Sequence, residues 1–250
     1  MNERDGSDLG TGSMFDAIAD RYDFVNRVMS FGTDVRWRRL AVSRLGLHGS
    51  CEVLDLATGT ADVALAVAAR TPGARVLGTD PSDRMLDVGR AKIGAHGLAS
   101  RVRLARGSAE AIDADDASFD GVTIAFGIRN VKDRPRALRE MARVVRPGGR
   151  VVVLELTEPR GRFLGRIARW HVHDVVPRIG AWLSGAREYR YLERSIAAFP
   201  PAEEFAATMA TSGVEVVETR ALAFGAATLF VGVKPGSSSE SSGAESGVRP

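Results

Sequence analysis

The sequence predicts an α/β fold in which helices cover both faces of a mostly parallel, seven-stranded sheet whose last strand runs antiparallel. The first observation is that short apolar segments alternate with segments whose apolar residues recur at helical spacing, which is typical of parallel strands joined by helices. The second is that the last two apolar segments flank only a short turn around Phe224 and Gly225, which indicates a closing antiparallel hairpin. The predicted strands are, in order, Glu52–Leu56, Ala74–Thr79, Val102–Arg106, Phe119–Ile124, Arg150–Leu156, Val214–Ala221 and Ala227–Val233.

The size and composition of the chain are those of an ordinary globular protein. Its 250 residues are enough for one large domain, and 44% of them are hydrophobic against 26% charged. The net charge of +3 belongs to a chain that mixes both signs, so we expect no nucleic-acid partner. Cys51 is the single cysteine, which excludes an internal disulfide and fits a reducing compartment. The start MNERDGSD lacks the apolar core of a signal peptide, and no apolar run is long enough to span a membrane, so we expect a cytoplasmic protein.

Composition also divides the chain into regions. Residues 1–13 are polar and rich in glycine, which predicts a flexible N-terminal arm. Residues 14–235 form the predicted domain, with residues 160–195 as a lid or insert between the fifth strand and the closing hairpin. From residue 236 the chain reads GSSSESSGAESGVRP, which has too little apolar surface to fold and predicts a disordered tail over 236–250. No pattern indicates a metal site.

The first strand runs into the turn LDLATGTADVA, residues Leu54 to Ala64, which has the position of a nucleotide-binding turn. A dinucleotide site needs the pattern G-x-G-x-x-G, with the pyrophosphate at the helix N-terminus. Here Ala57 takes the first glycine position, and of the pattern's glycines only Gly59 remains, which makes Gly59 a cofactor-binding candidate. Asp62 follows where the helix begins, and a carboxylate there disfavours a phosphate. The turn therefore predicts a neutral or cationic ligand.

Asp80 is the next candidate, at the end of the second strand in GTDPSDRML. It follows Asp55 at a spacing close to that at which an acidic residue meets a ribose diol in nucleotide-binding folds. The alternative is that Asp80 only caps the helix that begins at Pro81 or Ser82. Together with the preceding turn, the pattern favours ribose binding.

The ends of the third and fourth strands supply two further pairs of candidates. Ser108 and Ala109, in RGSAEAID, are small enough to let an adenine ring approach the backbone, although Ser108 can also be a helix cap. Arg129 and Asn130 follow the fourth strand in FDGVTIAFGIRN, and ligands of such sheets lie beyond the carboxyl ends of the strands. The alternative for Arg129 is an exposed side chain that pairs with a surface acid.

Longer segments make the chain resemble one family. RVVRPGGRVVVLE, with the turns before it, is characteristic of methyltransferases that use S-adenosylmethionine (SAM), a sulfonium cation without phosphate. The segments FDAIADRYDFVNRVMSFG, VLDLATGTADVAL, FGIRNVKD, RVVRPGGRVVVLELTEP and YRYLERSIAAFP resemble, in order, those of the menaquinone/ubiquinone biosynthesis C-methyltransferases. This resemblance covers Met14 to Pro235 and implies a Rossmann-like class I SAM-dependent methyltransferase with SAM as cofactor.

The resemblance also implies a reaction and roles for the candidates. The expected reaction is the C-methylation of demethylmenaquinol to menaquinol, with a polyprenylated quinol as substrate. Methylation of 2-polyprenyl-6-methoxy-1,4-benzoquinol in ubiquinone biosynthesis, methylation of an unrelated small molecule, and nucleotide binding without catalysis stay open as alternatives. Thr60, Asp80 and the pair Ser108–Ala109 are expected to contact SAM, and the catalytic candidates Arg129 and Asn130 to lie beside the methyl acceptor.

The chain departs from the family pattern at four single positions and in the run AAFPPAEEF after Tyr191. Family members usually have His at Asp34, Gly at Ala61, Asn at Ser108 and often Ser at Ala125. The Ser108 departure weakens a side-chain contact to adenine but not the backbone contacts. The candidates for a general base are Asp16, Asp23, Asp34, His171 and His173.

The segment RGRFLGRIARWHVHDVVPRIGAWLSGAREYR, residues 160–190, combines an apolar face with basic residues. Its apolar face carries Phe163, Ile167 and Trp170, and the interleaved arginines are Arg162, Arg166 and Arg169. This pattern suits peripheral contact with the inner face of an anionic membrane, where a polyprenyl tail resides. The alternative is a lid whose apolar face is buried on the domain. The patterns do not specify an oligomeric state, and a homodimer stays open.

Overall fold

The structure is a computed structural model that describes residues 32–158 and 186–236, together with the single residues 16, 19, 27 and 30. The side chains of residues 186–190 are outside this description. The predicted arm over 1–13, the membrane-contact arginines and nearly all of the predicted tail also lie outside the described residues.

Six helices and seven strands form the described part of the chain. In order they are α1 (Thr33–Arg44), β1 (Cys51–Leu56), α2 (Asp62–Arg70), β2 (Ala74–Asp80), α3 (Asp83–Ala95), β3 (Val102–Arg106), β4 (Phe119–Ala125), α4 (Arg134–Val144), β5 (Val145–Leu156), α5 (Ala186–Ala197), α6 (Ala202–Thr211), β6 (Glu215–Leu222) and β7 (Ala227–Val233). Two 3₁₀ turns, Ile128–Asn130 and Ala223–Gly225, follow β4 and β6.

The strands form one sheet in the order β3-β2-β1-β4-β5-β7-β6. Neighbouring strands from β3 to β5 are parallel, whereas β7 is antiparallel to both β5 and β6. This arrangement confirms the predicted α/β class and the antiparallel last strand. The strand order reverses between β1 and β4, and in open sheets of this kind the ligand crevice lies at that switch point, beyond the carboxyl ends of the strands.

Both faces of the sheet are buried at β1, β4, β7 and the second half of β5, which explains the nearly continuous apolar runs in these strands. Consecutive residues of β1 point to opposite sides, so Val53 packs in one core cluster with α1 and α2, while Leu54 packs in the other with α4 and α6. The second cluster contains an aromatic series in which the Phe205 ring lies 5.0 Å from that of Phe199 and 4.9 Å from that of Phe230. Helices on both faces therefore hold the strand ends in place at the crevice.

The main boundary difference concerns β5, which begins at Val145 rather than at the predicted Arg150. Val145 already pairs with Phe119 of β4, and the intervening glycines bond to the end of β7. The Gly148 N–H donates to the Lys234 carbonyl, and the Lys234 N–H donates to the Gly149 carbonyl. Lys234 is distant from the two glycines in sequence. The glycine turn alone therefore suggested that the strand begins only after it.

Candidate active site

The structure brings the predicted site residues to one edge of the sheet. Gly59 and Thr60 follow β1, Asp80 ends β2, the pair Ser108–Ala109 follows β3, and Arg129 and Asn130 lie in the turn after β4. Because these four strands are parallel neighbours, their carboxyl ends open onto the same crevice.

The turn after β1 leaves open space above its single glycine. Ala57, Gly59 and Ala61 all have left-handed backbone, with φ of 49°, 54° and 68°. A Cβ added at Gly59 would meet no heavy atom within 4 Å, whereas one added at Gly127 would lie 2.5 Å from the Ala57 Cβ. The turn is thus packed tightly against the β4 end on one side and is open at Gly59, where a ligand can approach the backbone.

Asp80 holds the turn and retains acceptor capacity for a ligand. Its carboxylate accepts the Gly59 N–H and the Ser82 N–H, each at 2.9 Å. Burial raises the pKa of Asp80, with a smaller contribution from the charge of Asp16, while the two backbone hydrogen bonds act in the opposite direction. A carboxylate has about four acceptor positions, so two such bonds leave room for a diol. The N-cap of α3 is Ser82, whose Oγ accepts the Met85 N–H at 3.1 Å, so the capping alternative for Asp80 is wrong.

The carboxylate of Asp62 is matched by cations of the protein itself. It forms an ion pair with Lys92 and lies 3.8 Å from Arg38. Lys92 Nζ also donates to the buried Thr60 Oγ1 at 3.2 Å. The charge of Asp62 is therefore balanced within the protein, and a contact between Thr60 and the cofactor stays a prediction.

Ser108 and Ala109 form a short turn after β3 rather than the start of a helix. The exposed Ser108 Oγ accepts the Glu110 N–H at 3.2 Å, and Ser108 bridges to Ala111. No helix occurs over residues 109–118, so the helix-cap alternative for Ser108 is wrong. Ala109 is half-buried against the second core cluster. The small side chains of Ser108 and Ala109 therefore leave a shallow surface at this strand end.

Arg129 is a buried ion-pair partner. It is 8% exposed, and its Nη1 lies 2.7 Å from Oε1 of Glu155, which is 0% exposed. The Arg129 N–H also donates to Glu155 Oε2 at 3.0 Å, and Nη1 donates to the Phe126 carbonyl at 2.5 Å. The alternative of an exposed arginine with a surface acid is therefore wrong. Glu155 was missed in the sequence, although an acidic residue inside the apolar run VVVLEL signals a buried partner.

Asn130 lies at the same turn and is less buried than Arg129. Its Oδ1 accepts the hydroxyl of Tyr191 on α5 at 3.0 Å. One helical turn further along α5, the Ser195 Oγ accepts Arg129 Nε at 3.3 Å. Neither Tyr191 nor Ser195 was a candidate from the sequence, because both contacts join residues more than 60 positions apart.

Two of the general-base candidates already have protein partners. Asp34 is buried in an ion pair with Arg38 and accepts the Ser30 hydroxyl at 2.7 Å. Asp16 accepts the Ser82 hydroxyl and the Arg84 N–H, the latter at 3.3 Å. Asp23, His171 and His173 lie outside the described residues. Within the described residues no group of His, Cys, Asp and Glu is arranged to hold a metal ion.

Asp55, at the base of the turn, has the most perturbed carboxyl near the site. Burial raises its pKa to about 7, against opposing hydrogen bonds from Thr58 and from the Ala64 backbone. The Thr58 hydroxyl donates to Asp55 Oδ2 at 2.6 Å. Thr123 is paired with Asp55 in the sheet register, and its Oγ1 is the buried side-chain polar atom for which the described residues provide no hydrogen-bond partner.

Comparison with known proteins identifies the family. The ubiE/COQ5 methyltransferase family matches residues 4–234 of the chain. The chain belongs to this family. The ubiquinone/menaquinone biosynthesis C-methyltransferase UbiE of Geotalea daltonii is 45% identical over 222 residues, which are 88% of this chain and 94% of that protein. The demethylmenaquinone methyltransferase of Thermus thermophilus is 45% identical over 223 residues, which are 89% of this chain and 100% of that protein.

Solved structures agree on the fold. A SAM-dependent methyltransferase of Thermotoga maritima superimposes with a TM-score of 0.59 at 23% identity, over 89% of this chain and 98% of that one. The predicted class I methyltransferase fold is thus confirmed for this ubiE/COQ5 family member. The chain is a methyltransferase enzyme with SAM as its cofactor. The open backbone at Gly59 and the acceptor capacity of Asp80 fit such a cofactor.

Proposed function

We propose that this methyltransferase converts demethylmenaquinol to menaquinol. The observation that carries the proposal is the 45% identity to a protein named demethylmenaquinone methyltransferase, over the whole length of that protein. A second candidate substrate is 2-polyprenyl-6-methoxy-1,4-benzoquinol, because the UbiE name of other relatives covers ubiquinone as well as menaquinone biosynthesis.

The reaction joins a ring carbon of the quinol to a methyl group. SAM supplies an electrophilic methyl group on a sulfonium. The ring carbon would bond to this methyl as the methyl–sulfur bond breaks, and the ring would then release the proton of that carbon to water, which gives menaquinol, S-adenosylhomocysteine and a proton in solution. Alignment of two bound reactants can contribute about 7–11 kcal/mol to such a step.

The cofactor half of the site comprises the ends of β1, β2 and β3. The Asp80 carboxylate would accept the ribose hydroxyls, and the open backbone at Gly59, next to the buried Thr60, would hold the amino-acid part. The short turn at Ser108 and Ala109, which carries only small side chains, would leave room for the adenine ring. The buried carboxylate of Asp80 and the open backbone at Gly59 are the features that support these roles.

The acceptor half comprises the turn after β4. Asn130 presents its amide to a quinol oxygen, and Arg129 adds a positive charge next to it. Because Glu155 balances the guanidinium charge, Arg129 acts mainly by holding the turn, with electrostatic stabilisation of a developing phenolate as the smaller part.

A methyl-transfer assay tests the proposal. Purified protein is given SAM and either reduced demethylmenaquinone or the reduced methoxybenzoquinone, and S-adenosylhomocysteine and the methylated quinone are quantified by mass spectrometry. Turnover that is faster with the naphthoquinol supports the proposal, and faster turnover with the benzoquinol supports the second candidate. SAM binding without S-adenosylhomocysteine release on either quinol contradicts both.

We further propose that the enzyme acts at the inner face of the cell membrane through residues 160–190. No helix within the described ranges is long and apolar enough to cross a membrane. The basic and apolar pattern of residues 160–190, which lie almost entirely outside those ranges, supports contact with an anionic surface. Charge reversal at Arg162, Arg166 and Arg169 should abolish co-sedimentation with anionic vesicles, and unchanged sedimentation of a folded variant would favour the lid interpretation. Light scattering on the purified protein without vesicles distinguishes a monomer from a homodimer.

A further inference from the structure

Helix α5 reaches the turn after β4 with two hydroxyl groups one helical turn apart. The Tyr191 hydroxyl donates to Asn130 Oδ1 at 3.0 Å, and the Ser195 Oγ accepts Arg129 Nε at 3.3 Å. Ser195 is oriented in turn by donation to the Leu192 carbonyl at 2.9 Å. One face of this helix therefore contacts both side chains that the family resemblance predicts to lie beside the methyl acceptor.

The backbone of the same turn is held by other residues. Arg134 Nη2 donates to the Arg129 carbonyl at 2.9 Å, and its Nε donates to the Ile128 carbonyl at 3.3 Å. Glu155 accepts the Arg129 N–H from the other side. The contacts of α5 are thus directed at side-chain orientation, while the main chain of the turn has its own supports.

The Tyr191 contact distinguishes the two ends of the Asn130 amide. A tyrosine hydroxyl that donates to Oδ1 leaves the amide NH₂ directed elsewhere, with two donors for an oxygen acceptor. Without that donor, a rotation of the amide by about 180° would exchange its carbonyl and its NH₂ at little steric cost. Burial also raises the pKa of Tyr191, so its hydroxyl keeps its proton at neutral pH.

We propose that Tyr191 is a positioning residue that selects the orientation in which Asn130 presents its NH₂ to an oxygen of the methyl acceptor. This inference rests on the proposed function for the identity of that acceptor, a quinol whose ring oxygen carries or shares negative charge during attack. Tyr191 acts through Asn130 and not on the cofactor, since its hydrogen bond is to the acceptor half of the site.

A double-mutant cycle with reduced demethylmenaquinone tests this role. Tyr191→Phe removes only the hydroxyl and should lower kcat about tenfold, the loss typical of one hydrogen bond, with unchanged SAM affinity and melting temperature. In the Asn130→Ala background the same change should alter kcat less than about twofold, because the residue that it orients is gone. Ser195→Ala is the matched control from the same helix face, and its effect should be similar in both backgrounds, because it acts through Arg129.

Three outcomes would overturn the inference. An equal loss from Tyr191→Phe with and without Asn130 would show that Tyr191 acts elsewhere, and wild-type kcat in Tyr191→Phe would show that the orientation needs no such donor. The side-chain NH₂ resonance of Asn130, assigned with Asn130→Ala, provides a readout that does not depend on turnover. This resonance should shift more in Tyr191→Phe than in Ser195→Ala, and an unshifted resonance refutes the contact between Tyr191 and Asn130. The absence of any methylated quinol would instead refute the proposed function, and the resonance would still report on the contact.

Discussion

Replacement of Glu155 by glutamine should destabilise the protein more than any other change of a single charge at the site. The Glu155 carboxylate is 0% exposed and accepts three hydrogen bonds, from Arg129 N, from Arg129 Nη1 and from Leu156 N. A glutamine of the same shape keeps one acceptor oxygen but turns an NH₂ toward donors, and it removes the negative charge opposite a guanidinium whose side chain is 6% exposed.

The expected loss follows from that stranded charge. Breaking a buried ion pair by removing one partner typically costs about 3–5 kcal/mol, since the remaining ion stays out of water without compensation. For a domain of this size, 1 kcal/mol corresponds to about 2–4 °C, so the midpoint of thermal unfolding should fall by about 6–20 °C. Replacement of both partners, Arg129→Met with Glu155→Leu, should recover only part of the loss, because the apolar pair leaves no buried charge but deprives the backbone N–H groups of Arg129 and Leu156 of their acceptor.

Urea unfolding followed by circular dichroism measures the free energy, with Glu52→Gln as the matched control. Glu52 pairs with Arg75, with Nε to Oε1 at 2.6 Å, but the two side chains are 33% and 65% exposed. Loss of such a surface pair should cost about 0–1 kcal/mol. If Glu155→Gln costs no more than Glu52→Gln, Arg129 does not depend on Glu155 for its charge balance and the reasoning is wrong.

Three further predictions concern the cofactor turn and the hairpin. Asp80→Ala should weaken SAM binding by about 1–3 kcal/mol in titration calorimetry, because charged hydrogen bonds to the ribose are lost, and unchanged affinity would remove Asp80 from the site. The pKa of Asp55 is raised to about 7 from an ordinary 3.8, so the native state holds this proton between about pH 4 and 7 and wild-type stability should fall as pH rises through that window. Asp55→Asn should lack this slope, a difference of at most about 4 kcal/mol at 1.4 kcal/mol per pH unit, and parallel urea-unfolding profiles from pH 4 to 8 would contradict it. Phe224→Gly should raise the free energy of unfolding by about 1 kcal/mol, because Phe224 has a φ of 58° and is 66% exposed, and a lower value would show that its ring packs in solution.

The fold was readable from the sequence because its signals are local. In the described structure β1, β2 and β4 are short, largely apolar runs followed by a helix, so the type and order of these elements come from neighbouring residues alone, whereas β3 leads to β4 without a helix. The same holds for Gly59 and Asp80, whose spacing is set by one β-α-β unit.

The remaining parts of the site depend on contacts that sequence spacing does not encode. Lys92 meets Asp62 across 30 positions, and Tyr191 meets Asn130 across 61. Glu155 was overlooked because it lies in a strand whose apolar pattern is otherwise continuous. Arg129 was placed at the correct strand end, but whether it faces solvent, a ligand or a buried acid depends on which strand lies beside β4.

The close approach of Ala57 to Gly127 imposes an order on substitution at this site. A methyl group at position 127 would lie 2.5 Å from the Ala57 Cβ, so a change of Gly127 to alanine is blocked first by that methyl. Ala57→Gly removes this methyl and suits a backbone φ of 49°, and it leaves the flexible Ile124 side chain, with Cγ1 at 3.2 Å, as the nearest neighbour of a new Cβ at position 127. In evolution or in a design library, the glycine can therefore move from position 127 to position 57 through an intermediate with glycine at both positions. The route through an intermediate with alanine at both positions is closed. The two positions should vary together even though they belong to different strand ends far apart in the chain.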